Sequence, residues 1–152
     1  MQKRSERLYW LTAAALAAAL FTLFRIFPLT GDDSAPEVGG VAGIMNIYHQ
    51  TLTHVRLSGP TFFAPIILGN VLAYSAGSRP LLRDLLRTAI TLALAALLAR
   101  VTNHRSAAGL ALCAALLLAL PREMFREIYP WAAGYFNYVP PVALSLGALA
   151  LM

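Results

Sequence analysis

Asp32 and Asp33 are adjacent carboxylates in a chain that holds only seven acidic residues. Two like charges side by side repel, and one of the two pKa values tends to rise. A cation, a metal–phosphate complex or a substrate proton would relieve that repulsion, so the pair is a candidate for general-base or metal-linked chemistry. The alternative is a hydrated turn, for which Thr30-Gly31-Asp32-Asp33-Ser34-Ala35-Pro36 has suitable composition. Other chemistry-bearing residues are less suggestive. His49 and His54 lie about 140° apart on a helix, which is not the one-face spacing of an i,i+4 ligand pair. Glu123 and Glu127 share a helical face but stand beside Arg122 and Arg126, which suits salt bridging better than acid–base work. Cys113 is the lone cysteine and lies in an apolar run. Glycine-rich nucleotide loops and a Gly-x-Ser-x-Gly elbow are both missing from the sequence.

The elements that must position these residues are apolar. The chain is 59% hydrophobic and 12% charged, with a mean hydropathy of +0.64. Soluble domains carry roughly 25% charged residues, so the composition predicts lipid as the solvent. The net charge of +5 is spread along the chain, almost entirely as arginine, and falls between apolar runs. That pattern fits the flanks of membrane spans and excludes nucleic acid as a partner.

The first run, Leu8 to Leu29, follows Lys3, Arg4 and Arg7 and is too long for a signal peptide, so it predicts an uncleaved signal anchor with a cytoplasmic N-terminus. Arg25 lies near its outer end and can snorkel. An outer loop with Asp32, Asp33 and Glu37 comes next. Val41, Ile44, Met45, Tyr48, Leu52 and Val55 then recur at helical spacing, which predicts an amphipathic helix on the membrane surface. The run 61–76 is short and contains Pro65, Gly69 and Asn70, so it either crosses or re-enters. The runs Thr88 to Val101 and Ser106 to Leu120 form a helical hairpin around Asn103, His104 and Arg105. Tyr129, Trp131, Tyr135, Phe136 and Tyr138 form an interfacial aromatic belt, followed by a last apolar run from Val139 to Met152. If 61–76 crosses, the N-terminal cluster, Arg79, Arg83, Arg87, Arg122 and Arg126 all face inward, which favours crossing. The expected fold is therefore an all-α integral membrane protein of the inner membrane. It would have four to five transmembrane helices and one amphipathic juxtamembrane helix in the first outer loop. Residues 1–152 would make one polytopic domain: a signal anchor over 1–29, an outer loop over 30–60 and helical spans over 61–152.

The order of these pieces resembles the GT-C superfamily of polytopic glycosyltransferases, in its bacterial glucosyltransferase-like branch. The matching residues are Gly31-Asp32-Asp33 after the first span, the Ile47-to-His54 helix, and Trp131-Ala132-Ala133-Gly134-Tyr135-Phe136-Asn137-Tyr138, which is similar to a W-x-x-G-x-x-N-Y pattern. The resemblance implies transfer of a sugar from a polyprenyl-phosphate carrier to an extracytoplasmic acceptor. It implies Asp32 and Asp33 as catalytic carboxylates, acting as general base or helping to hold a divalent metal near the carrier phosphate. It implies Arg56, Trp131, Tyr135, Asn137 and Tyr138 as substrate-binding residues. The chain is short for that family, so it would correspond to the N-terminal portion only.

The stretch Leu57-Ser58-Gly59-Pro60-Thr61-Phe62-Phe63-Ala64-Pro65 also resembles a metal-loop segment of copine-type von Willebrand A domains. The Asp-x-Ser-x-Ser partner motif of such domains is missing, and apolar runs stand where strands are expected, which sets this resemblance behind the first. Two other function classes stay open. One is a noncatalytic small membrane protein acting as accessory subunit of a larger complex through helix packing. The other is a transporter or channel piece, which the lack of an acidic residue in mid-span disfavours.

Overall fold

The computed structural model describes residues 2–27, 49, 80–130 and 132–151. Among these residues the secondary structure is helical throughout: α1 (Gln2–Ile26), α2 (Pro80–Val101), α3 (Ala107–Leu118), α4 (Arg122–Ile128) and α5 (Ala132–Leu151). Residues 28–48 and 50–79 lie outside the description. They hold the acidic pair, Arg56, the copine-like stretch and the amphipathic stripe, apart from His49, which is helical and exposed.

Proline places several of the boundaries. Pro28 follows the end of α1, where the residue before a proline is pushed out of helical geometry. Pro80 occupies the first helical position of α2, where its missing N–H costs nothing. Pro121 separates α3 from α4, and the two helices meet at 95°. Pro140 and Pro141 lie inside α5, so that helix gives up two intrahelical donors in succession.

The α2–α3 turn is built from two caps. Asn103 takes a left-handed φ of 60°, a conformation Asn tolerates better than most residues. The His104 N–H then reaches the Ala99 carbonyl at 2.7 Å and the Asn103 N–H reaches Arg100 at 3.1 Å, the double closure of a Schellman motif. Three residues after Asn103, the Ser106 side chain caps α3 by accepting from the Gly109 N–H at 3.0 Å. The outcome is an antiparallel hairpin with one short connection.

The long helices pack side by side, with α2 in contact with α1, α3 and α5. Arg25 of α1 meets Asp84 of α2, whereas Ala13 clusters with Ala95 and Ala99, so α1 and α2 run antiparallel. Tyr135 meets Thr91 and Gly147 faces Leu97, so α5 runs parallel to α2. The bundle therefore has two unlike ends. One carries Lys3, Arg4, Glu6, Arg7, Arg100 and Arg105. The other carries the end of α1, the start of α2, α4 and the start of α5.

This arrangement corrects the expected distribution of charge. Arg83 and Arg87 do not share an end with Lys3, Arg4 and Arg7, because the Arg25–Asp84 pair brings them to the opposite one. Arg122 and Arg126 sit there too, since Phe125 packs on Phe27 with ring centroids 5.9 Å apart. The end of α1 and the start of α2 thus lie at the same end of the bundle. The aromatic belt is also corrected. Tyr129, Tyr135 and Phe136 are buried with Phe24 in the core, and Tyr138 is the exposed member. Phe24 stacks on Tyr129 at 6.2 Å and meets Tyr135 edge-on at 5.7 Å, geometry that rings adopt when they fill a core.

Among the described residues, one helix, Lys3–Ile26, is long and apolar enough to cross a membrane, and α3 with α4 passes the same test only as a bent pair.

A Cβ at Gly109 would overlap the His104 carbonyl and carbon. Gly109→Ala should therefore open the α2–α3 turn at a cost of about 1–3 kcal/mol, seen as a lowered thermal midpoint in detergent. Ala108→Gly, on the same turn of α3 but without that clash, should lose no more than about 1 kcal/mol.

Candidate functional site

The first half of α2 is turned inside out. Arg83, Asp84 and Arg87 are 5%, 0% and 1% exposed, while Leu81 and Leu85 on the same helix are 59% and 55% exposed. Thr88 and Thr91 continue the buried polar stripe, at the three- and four-residue spacing of one helical face. In water this orientation would cost free energy twice, by burying charge and by exposing leucine.

The buried charges are paired. Asp84 Oδ1 accepts from Arg83 Nε at 2.9 Å, and Oδ2 accepts from Arg25 Nη1 at 3.3 Å. Arg25 is 45% exposed on its side chain and closes the cluster from the outside. The Arg87 guanidinium lies 4.4 Å above the Phe24 ring and 5.2 Å from that of Tyr135, a cation–π arrangement that strengthens on desolvation. Arg87 has at least one further interaction beyond these. Arg83 Nη1 is buried without a partner among the described residues.

A second layer fixes the helices around this cluster. The Tyr135 hydroxyl donates to the Arg87 carbonyl at 2.8 Å. Its single hydrogen is thereby used, so the 2.7 Å contact with Thr91 runs from the Thr91 hydroxyl to Tyr135. Thr88 Oγ1 donates to the Asp84 carbonyl at 2.8 Å. Burial pushes the Tyr129 phenol above its ordinary pKa, so it stays neutral across the physiological range.

These groups suit holding better than reacting. Asp84 has no exposed surface on which to meet a substrate, and both its oxygens are engaged. Among the described residues no group of three or more His, Cys, Asp or Glu could hold a metal. What the cluster does is tie the helix before residues 28–79 to the helix after them.

The sequence-predicted residues fall unevenly on this picture. Asp32, Asp33, Arg56 and Trp131 lie outside the described residues. Tyr135 is in the cluster, buried, with its ring under Arg87 and its hydroxyl engaged. Asn137 is half-buried and Tyr138 is exposed. Sequence reasoning missed Arg83, Asp84 and Arg87 as a unit. The available signal was the polar stripe Asp84, Thr88, Thr91 against the leucines at 81, 82, 85 and 86.

Comparison with known proteins gives a different affinity from the glycosyltransferase one. A family profile described as Copine matches residues 14–79. The resemblance is to copines. Nicotinic receptor-associated protein 1 of Caenorhabditis elegans is 50% identical over 42 residues, which is 28% of this chain and 7% of that protein. Protein BONZAI 1 of Arabidopsis thaliana is 44% identical over 50 residues, 33% of this chain and 9% of that protein. Protein BONZAI 2 of the same plant is 46% identical over 41 residues, 27% of this chain and 7% of that protein. The matched stretch thus spans less than a tenth of the length of these relatives. No solved structure matches.

These matches overturn the GT-C resemblance, and with it sugar transfer from a polyprenyl-phosphate carrier. The roles that resemblance implied for Asp32, Asp33, Arg56, Trp131, Tyr135, Asn137 and Tyr138 lapse with it. The accessory-subunit alternative gains no support from them either. The stretch Leu57 to Pro65 lies within the matched residues, and the match covers a small share of the relatives' length, so the missing partner motif does not count against it.

Removing the buried carboxylate leaves Arg83 without its partner inside the bundle. Asp84→Asn should destabilise the protein by about 3–5 kcal/mol. Arg25→Gln, which removes the exposed partner, should cost about 1 kcal/mol or less. Thermal unfolding of both variants in the same detergent checks the ordering.

Proposed function

We propose that this chain is a membrane-seated helical module that presents a copine-like segment for binding a protein partner. The observation that carries the proposal is the Arg25–Asp84 pair. It joins the helix that enters residues 28–79 to the helix that leaves them, and the matched residues 14–79 begin within the first of these helices and end at the residue before the second.

Three further observations support it. The inverted burial of α2 suits an apolar surrounding, where exposed leucine is solvated by lipid and buried charge is kept inward. Trp10, Leu11, Leu112, Leu116, Leu144 and Leu151 are also more than half exposed, far more apolar surface than a water-soluble monomer tolerates. Association is the activity carried in the printed name of the nematode relatives, and association in general, without the identity of the receptor, is what we extend to this chain.

Two measurements test this. The protein should stay with the membrane pellet after alkaline carbonate extraction, and release into the supernatant would defeat the membrane seat. A photoreactive residue at Phe62 should give a discrete heavier protein adduct in cells, whereas the same probe at the exposed Leu144 should give none. Equal labelling from both positions, or none from Phe62, would defeat the binding role.

A further inference from the structure

A groove of about 890 Å³ opens between the first half of α1, the second half of α2 and the start of α3. It lies at the end of the bundle that carries Lys3, Arg4, Arg7, Arg100 and Arg105, remote from the Asp84 cluster. Its volume is within the roughly 300–1,000 Å³ of small-molecule sites. The walls are apolar: Leu8 and Trp10 on α1, and Ala93, Ala96 and Leu97 on α2. Alanines at 93 and 96 keep the α2 wall low, which is why the space between the helices is left unfilled. The rim is polar and mostly cationic, with Arg100, Arg105 and Ser106 on one side and Ser5 and Glu6 on the other. A smaller recess of about 560 Å³ adjoins it, lined by Lys3, Glu6, Arg7, Trp10 and Leu11.

Four basic side chains, Lys3, Arg7, Arg100 and Arg105, thus stand against one acid at the end of an apolar slot. We propose that this groove binds one anionic phospholipid, with its phosphate on Arg100 and Arg105 and its acyl chains along Trp10, Ala93, Ala96 and Leu97. The charge of the rim selects the occupant. A neutral amphiphile would leave two guanidinium groups without a counterion, and an acidic soluble ligand would leave the apolar walls uncovered. Guanidinium groups also match phosphate oxygens bidentately, which an ammonium does not. Glu6 opposes the site, and the two arginines outweigh it. The inference rests on the membrane seat proposed above, but its residues are separate from those that hold the copine-like segment.

Trp10 is its own reporter. Trp131→Phe leaves it as the single tryptophan of the two in the chain. In phosphatidylcholine vesicles, a small fraction of brominated phosphatidylglycerol should quench Trp10 at a several-fold lower mole fraction than brominated phosphatidylcholine. Arg100→Gln and Arg105→Gln should each remove roughly fivefold of that preference, with helical circular dichroism retained. Glu6→Gln should increase it. If the double arginine variant does not fold, Arg105→Gln alone carries the test, because Arg105 lies in the turn outside both helices. Equal quenching by the two lipids in the parent, or a preference that survives loss of both arginines, would overturn the site while leaving the membrane seat standing. Quenching by neither lipid, together with release by carbonate, would overturn both.

Discussion

A single carboxylate organises this bundle. Asp84 is fully buried and takes hydrogen bonds from Arg83 on its own helix and Arg25 on α1. Without it, the start of α2 would bring Arg83 into a closed space without its ion-pair partner, and the helix would rotate to release it. With it, the polar face of α2 turns inward and the leucines turn outward. The rotation then sets what else can pack. Phe24 and Tyr135 close over Arg87, and Thr91 reaches Tyr135. The aromatic core that joins α1, α4 and α5 is built on those contacts.

The same interaction joins the two helices on either side of residues 28–79, and the matched residues 14–79 begin within the first of them. The curated relatives share less than a tenth of their length with this chain, and the matched residues 14–79 take in the second half of α1. The groove at the far end shows that the bundle has surface chemistry independent of them.

Much of the helical layout could be read from residue order. Asn103, His104, Arg105 and Ser106 mark the hairpin, because Asn favours the left-handed position and Ser favours the cap. Pro28, Pro80 and Pro121 mark helix limits. The sides of the bundle could not be read, because arginine counts between apolar runs give topology only if each run crosses. The Arg25–Asp84 contact spans 59 positions, and pairing at that distance leaves no periodic trace. The tyrosines were placed at an interface because Tyr and Trp gather there. Burial of Tyr135 depended on partners for its hydroxyl, Thr91 and the Arg87 carbonyl, that only the fold brings near. The affinity was legible only in the contiguous stretch Leu57 to Pro65, which lies within the matched residues, because a two-residue acidic motif and a loose aromatic string recur too often to carry a family.

The third helix has only twelve residues and is followed by a right-angle bend. At 1.5 Å per residue it is about 18 Å long, against a hydrocarbon thickness of about 30 Å. In the membrane seat proposed above, that flank would be shallower than the lipid around it. A bilayer can answer such hydrophobic mismatch by thinning locally, or the protein can answer it by tilting or by burying the short side against a neighbour. A bundle seated in this way would be lopsided, and thin membranes would accommodate it at lower cost than thick, sterol-rich ones.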